Sequence, residues 1–115
     1  MLVEGEDGEV TDFVSFYTLN SSIIGHEKYN KLSAAYAFYN FTVSNDGERL
    51  KDLIRDALII AKQRNFDVFN MTEVLQHKKV TGELLFKPGD GLLAHYLYNW
   101  RIKAINASDI GIVLV

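Results

Sequence analysis

Two apolar-rich stretches near the start of the chain predict neighbouring β-strands. Residues 10–19 and 34–43 are rich in β-branched and aromatic side chains, which strands favour. In the first stretch Val14 and Phe16 share one face of a strand, and further apolar side chains occupy the other face. Since both faces carry apolar groups, we expect interior strands that are covered on both sides. The polar segment 20–31 is typical of a wide loop that joins antiparallel partners.

The next segment predicts one long amphipathic helix. Apolar residues recur at i, i+3, i+4, i+7, i+8 and i+11, which places them on a single helix face. They are Leu50, Leu53, Ile54, Ala57, Leu58 and Ala61. Asn45 and Glu48 form a candidate capping pair at the start of the helix. Lys62 and Arg64 lie in its last turn, where cations interact favourably with the helix dipole.

Shorter elements are predicted in the second half of the chain. Residues 66–70 are typical of a short strand, and residues 72–76 of a single helical turn. The strongest turn signal of the chain is Pro-Gly-Asp-Gly at 88–91. Residues 93–101 predict another strand with its aromatic side chains on one face, and residues 110–115 predict an apolar terminal strand.

These elements predict the fold class and the number of domains. Helix and strands mix without the regular alternation of βα units, so we expect an α/β (α+β) fold. It would contain a mixed, antiparallel-rich sheet with one main helix. The 115 residues amount to one domain at most, which would span residues 1–115.

The apolar C-terminus is unusual for a chain end. Termini are generally solvated unless the structure ties them down, whereas this end is expected to be buried. The α-carboxylate of Val115 would then lose its hydration. A buried carboxylate has to find partners or accept a raised pKa.

Composition and charge exclude several function classes. A net charge of −3 argues against general binding to a phosphate backbone, so no nucleic-acid partner is expected. The chain has no cysteine, and His26, His77 and His95 lack the spacing of a metal site, so no metal is expected. No apolar run reaches the ~18 residues of a membrane-spanning helix, and no signal peptide is recognisable. We therefore expect a cytoplasmic protein.

Seven short stretches, taken together, resemble the N-myristoyltransferases. They are TDFVSFYTL at 11–19, AAYAFYN at 34–40, DALIIAK at 56–62, FDVFN at 66–70, GDG at 89–91, YLYNW at 96–100 and GIVLV at 111–115. Their order and spacing match the end of the family's sequences, and the resemblance covers essentially the whole chain. It implies a partial domain at the C-terminus of an enzyme that is several times longer. That enzyme resembles two fused acetyltransferase-like (GNAT) halves, and this chain would belong to the second.

The resemblance also implies an activity. Members of the family transfer a C14 acyl group from CoA to the amine of an N-terminal glycine. An α-amine has a pKa of roughly 7.7–8.0, so it is mostly protonated at neutral pH and a base is needed. The resemblance assigns this role to the C-terminal carboxylate, here that of Val115.

Substrates and partners follow from the same resemblance. Myristoyl-CoA is the implied co-substrate, bound mainly by the missing upstream half, and no tightly bound cofactor is implied. The implied partners are proteins or peptides with an N-terminal glycine and the upstream part of the enzyme. The isolated chain is expected to be inactive. Because it would expose sheet edges, it is also expected to self-associate.

A set of groove residues is the last implication of the resemblance. The set is Ser21, Leu32, Tyr36, Asn70, Thr72, Gly89, Asp90, Gly91 and Leu93. Plain structural interpretations exist beside it: Ser21 as a loop serine, Leu32 as core packing and residues 89–91 as a hairpin turn. Leu85-Phe86-Lys87 stands where the family usually has Lys-Phe-Gly, which leaves peptide preference open. A non-catalytic domain that binds peptides or a partner protein is the alternative function.

Overall fold

A computed structural model of the chain describes residues 1–44, 46–89 and 91–113. The elements within these ranges are, in chain order, β1 (Leu2–Glu4), β2 (Val10–Ser22), β3 (Lys31–Thr42), α1 (Gly47–Gln63), β4 (Val68–Asn70), α2 (His77–Glu83) and a 3₁₀-helix (Ala107–Asp109). The four strands form one sheet in the order β1-β2-β3-β4. The first two pairings are antiparallel, and β3 pairs with β4 in parallel after the α1 crossover. This confirms the predicted mixed, antiparallel-rich sheet with one main helix.

Strands β2 and β3 form the longest pairing of the described sheet. Their register runs from Asp12 opposite Thr42 to Ser22 opposite Lys31. Both strands therefore extend into the segment that was predicted to be a loop, and the connection between them shortens to residues 23–30. The extension brings polar residues near the end of β2 into the sheet.

Helix α1 starts and stops for identifiable reasons. Its N-cap is Asp46, whose side chain accepts a hydrogen bond from the Glu48 N–H at 3.0 Å. The predicted cap, Asn45, lies outside the described residues. After the helix Asn65 adopts a φ of 59°, and the Phe66 N–H bonds the Ala61 carbonyl at 3.1 Å. This left-handed residue with its backward hydrogen bond is a common way for a helix to end.

The predicted apolar face of α1 is buried. Five of its six residues are buried (Leu50, Leu53, Ile54, Ala57 and Ala61), whereas Leu58 is half-buried. They pack on one face of the sheet, where Val14 and Phe16 join the core cluster. The opposite face carries Leu19 and Phe41, which are about half exposed at 50% and 49%. The prediction that the strands are covered on both faces is therefore wrong, because α1 covers only one.

An ion pair joins β2 to the first turn of α1. The carboxylate of Asp12 accepts hydrogen bonds from Arg49 Nη2 at 2.6 Å and from Nε at 3.1 Å. The Asp12 side chain is only 5% exposed, whereas that of Arg49 is 40% exposed. The helix start is thus fixed to the sheet by a charge that lies at the rim of the core.

The second half of the chain differs from the prediction. Residues 72–76, which were expected to form one helical turn, are not helical. The helix α2 begins only after them, at His77. Residues 93–101 contain no strand, and their aromatic residues Tyr96 and Trp100 are 88% and 75% exposed. Residues 110–113 also form no strand, and the remainder of the predicted terminal strand lies outside the described residues. A strand needs a backbone partner and a surface for its apolar face, and the described part of this chain offers neither to residues 93–101.

Candidate functional site

A cavity of about 690 Å³ lies beside the end of β4. Its wall is built from the last two residues of β4 and residues 71–74 that follow them, from two residues of α2, from residues 86–89 and 91–93, and from three positions further on. Five of the predicted groove residues contribute to this wall: Asn70, Thr72, Gly89, Gly91 and Leu93. The structure therefore brings together positions that are up to 23 residues apart in the sequence.

The other predicted groove residues lie on the neighbouring sheet face. The strand register places Ser21 opposite Leu32, and it places Tyr36 between Tyr17 on one side and Asn70 on the other. Residues that pair directly, and residues two apart in a strand, point to the same face of a sheet. All four predicted residues thus share the face turned away from α1. Asn70 belongs both to this face and to the cavity wall, so it joins the two groups.

The environments of these residues decide between the interpretations left open by the sequence. Ser21 lies in strand β2, so it is not a loop serine. Leu32 is half-buried at the sheet surface and is not a core residue. The rings of Tyr36 and Tyr17 stack with their centroids 5.6 Å apart, which makes a flat aromatic floor on this face. In the described part of the chain residues 89 and 91 connect no pair of strands, so the hairpin interpretation is wrong.

Two predicted site residues cannot be placed. Asp90 and Val115 lie outside the described residues. Val113, two positions before the terminal residue, is buried with 6% of its surface exposed.

The backbone around Gly89 and Gly91 is open. A Cβ atom built at either position meets no atom within 4 Å. The packing of this chain therefore does not require glycine at these two positions. Glycine there does leave the main chain accessible to a ligand from the cavity side.

Helix α2 supplies side chains that sequence reasoning missed. Thr81 lines the cavity and donates a hydrogen bond to the Glu73 carboxylate at 3.3 Å. Behind the wall, His77 is buried, and its Nδ1 lies 2.9 Å from the Thr72 carbonyl oxygen. Burial lowers the pKa of His77, so the ring is neutral. Buried positions at 77, 80 and 81 follow the i, i+3, i+4 spacing of a helix, which was the available signal in a very short segment.

The cavity offers mixed chemistry to a ligand. Apolar side chains such as Phe69, Met71 and Leu93 alternate around it with Asn70, Glu73 and Lys87. This combination suits a ligand that has both a polar main chain and apolar groups. Among the residues that the structure describes, no cluster of three or more His, Asp or Glu side chains could hold a metal ion. No helix in the described ranges has the length and apolarity to cross a membrane.

Comparison with known proteins places the chain in a family. Over residues 1–113 it matches the family described as Myristoyl-CoA:protein N-myristoyltransferase, C-terminal domain. It is 48% identical over 113 residues to the glycylpeptide N-tetradecanoyltransferase of Plasmodium falciparum, an alignment that covers 98% of this chain and 27% of that protein. The Arabidopsis thaliana glycylpeptide N-tetradecanoyltransferase 1 is 47% identical over 116 residues, covering 99% of this chain and 26% of that protein.

A solved structure supports the same assignment. The crystal structure of Saccharomyces cerevisiae N-myristoyltransferase with bound myristoyl-CoA aligns with a TM-score of 0.68 at 38% sequence identity, covering 78% of this chain and 24% of that chain. The chain thus spans about a quarter of the length of the curated relatives that it matches. Since the family match extends over residues 1–113, this chain belongs to the N-myristoyltransferase family and corresponds to its C-terminal domain.

Proposed function

We propose that this chain is the C-terminal part of an enzyme that transfers myristate from myristoyl-CoA to the N-terminal glycine of proteins. Family membership supports the reaction class. The observation that carries the site is the continuity of the predicted groove residues, which run from the sheet face through Asn70 into the cavity wall. The upstream part of the full-length protein would bind most of the myristoyl-CoA, so the isolated chain would not catalyse transfer.

The peptide lies, in this proposal, across the sheet face and into the cavity. The stacked rings of Tyr36 and Tyr17 form the apolar floor, and the hydroxyl of Ser21 provides a polar contact at the far end of β2. The side-chain amide of Asn70 can donate to a peptide carbonyl and accept from a peptide N–H. Such paired contacts fix the direction of a peptide main chain independently of its side chains.

The carboxylate of Val115 acts as the base in this proposal. The attacking amine has to lose a proton, and a positioned carboxylate with reduced hydration is a stronger base than a free one. The burial of Val113, the last residue that the structure describes, is the structural observation in favour of this proposal. The group required is the main-chain carboxylate, so the identity of the last side chain is secondary.

Gly89→Ala in the full-length protein is expected to raise the KM for a glycine-initiated peptide at least about fivefold, equivalent to about 1 kcal/mol of lost binding. The reason is that the added methyl group meets no protein atom, whereas it occupies space next to the cavity that the peptide would use. Steady-state kinetics at saturating myristoyl-CoA measures the effect.

Gly47→Ala is the matched control. Its added methyl group also meets no atom within 4 Å, and Gly47 starts α1, away from the cavity lining. We expect an unchanged KM for the peptide in this variant. Equal KM values for Gly89→Ala and the parent protein would show that the peptide does not approach this loop.

A further inference from the structure

His77 shows a division of roles between its two ring nitrogens. The residue is the first of α2, and only 1% of its surface is exposed. Nδ1 lies 2.9 Å from the carbonyl oxygen of Thr72. A carbonyl oxygen can only accept a hydrogen bond, so Nδ1 carries the proton of the neutral ring. Nε2 is then an unprotonated acceptor, and it has no hydrogen-bond partner among the described residues.

A buried histidine with this arrangement stabilises the fold less than an apolar side chain of similar volume would. A buried acceptor without a partner costs about 1–3 kcal/mol, and an apolar side chain of similar volume avoids that cost. Buried polar groups without partners are rare enough in proteins to need a specific explanation. We explain the presence of a histidine here by the hydrogen bond that its other nitrogen, Nδ1, makes with Thr72.

The bonded nitrogen holds a segment that has no regular structure. Residues 71–76 connect β4 to α2 and belong to neither element, so helix or sheet hydrogen bonding does not hold the Thr72 carbonyl. The segment carries Thr72 and Glu73, and it directly follows Asn70, the last residue of β4. All three residues line the cavity. Leu75, near the end of the segment, has a left-handed φ of 51°, which also indicates a constrained backbone path.

We propose that His77 is a positioning residue of the peptide groove. Its Nδ1–H fixes the backbone at Thr72, and this sets where Asn70 and Glu73 meet the peptide. The inference rests on the proposed function of the cavity. It concerns a residue behind the wall, which acts through Thr72 and does not touch the substrate itself.

Two substitutions separate positioning from stability. His77→Leu approximately keeps the side-chain volume and removes both nitrogens. The bond to Thr72 is lost, and so is the cost of burying Nε2, which has no partner within the described ranges. We expect an equal or higher melting temperature and a peptide KM raised at least about fivefold, equivalent to about 1 kcal/mol. The KM for myristoyl-CoA should not change.

His77→Asn is expected to keep the hydrogen bond to Thr72 and to lose stability. An asparagine places an amide N–H close to the position of Nδ1 and leaves a void where the rest of the ring was. We expect a lower melting temperature with a peptide KM within about twofold of the parent value, which is below about 0.5 kcal/mol. The more stable variant, His77→Leu, should therefore have the higher peptide KM, and the less stable variant, His77→Asn, should have a nearly normal one. A purely structural role would make the less stable variant the more impaired one.

The decisive experiment measures both KM values and the melting temperature for the full-length parent and the two variants. The inference is wrong if peptide KM follows stability, with His77→Leu close to the parent and His77→Asn impaired. If the parent itself transfers no myristate, the proposed function fails. NMR of this chain then tests whether the His77 Nδ1–H bonds the Thr72 carbonyl and positions the residues around it. A proton on Nδ1, and shifts of the Asn70 and Thr72 amide signals in His77→Leu but not in His77→Asn, would support positioning. A proton on Nε2, or equal shifts in both variants, would overturn it.

Discussion

Converting the C-terminal carboxylate of the full-length protein into an amide is expected to lower the rate of myristoyl transfer at least about 100-fold. The amide cannot take a proton from the peptide amine, and at neutral pH most of that amine is protonated. Peptide and myristoyl-CoA should still bind, so the loss should appear in kcat. Semisynthesis of the last residues followed by single-turnover kinetics measures it.

Two variants of the terminus control this prediction. Val115→Leu keeps the main-chain carboxylate and changes only the side chain, and we expect transfer within a few-fold of the parent rate. One added glycine moves the carboxylate by about 3.5 Å and should reduce transfer almost as strongly as the amide does. Unchanged turnover after amidation would refute the carboxylate as the base.

Asp12→Asn is expected to lower the free energy of unfolding by about 1–2 kcal/mol near pH 7, and only a small part of this difference should remain near pH 2. The Arg49 hydrogen bond, with help from Thr42, lowers the pKa of Asp12 from 3.8 to about 2. Because the pKa is lower in the folded state, the charged carboxylate stabilises the fold above about pH 4. This stabilisation is lost as the pH falls through about 2. The exposure of Arg49 keeps the expected value below that of a fully buried pair.

Asp52→Asn is the matched control for the ion pair. Asp52 bonds Arg55 at 2.8 Å within α1, and both side chains are about half exposed at 50% and 51%. Exposed pairs of this kind contribute about 0.5 kcal/mol or less. Urea unfolding of this chain at several pH values compares the two variants. A difference between Asp12→Asn and the parent that persists unchanged to pH 2 would contradict the account.

The parts of the fold that were predictable are long and strongly patterned. The 3.6-residue repeat of apolar positions located α1, and the β-branched and aromatic runs located β2 and β3. The capping residue was misassigned by one position, since Asp46 and Asn45 are both good N-caps. Strand β1 was not predicted because three residues are too short for a pattern to be recognised.

The errors in the second half have a common physical cause. Residues 93–101 have the composition of a strand, yet composition does not provide a partner strand or a covering surface. Tyr96 and Tyr98 are 88% and 87% exposed because nothing in the described part of this chain packs against them. A chain that spans about a quarter of its relatives' length can carry sequence patterns that suit contacts outside itself.

The residues of the candidate site were predicted from the family resemblance. The pattern of apolar and polar residues alone would have predicted only part of it. Periodicity alone would have placed Tyr36 in a strand, but not beside Asn70, because a parallel pairing across a helix leaves no local signal. The sequence excludes His77 as a metal ligand by its spacing, but a single residue does not reveal that it bonds a carbonyl five positions earlier. Tertiary structure was needed to show it behind the cavity wall.

The most direct test of the account is myristoyl transfer by the full-length protein to a peptide that begins with glycine. The same peptide with alanine at its start is the control, since an added methyl group next to the reacting amine should clash in a groove built for glycine. The account predicts transfer from myristoyl-CoA to the glycine peptide and little or none to the alanine peptide. A folded full-length protein that binds myristoyl-CoA but transfers to neither peptide would contradict it, and peptide binding without catalysis would become the function of this domain.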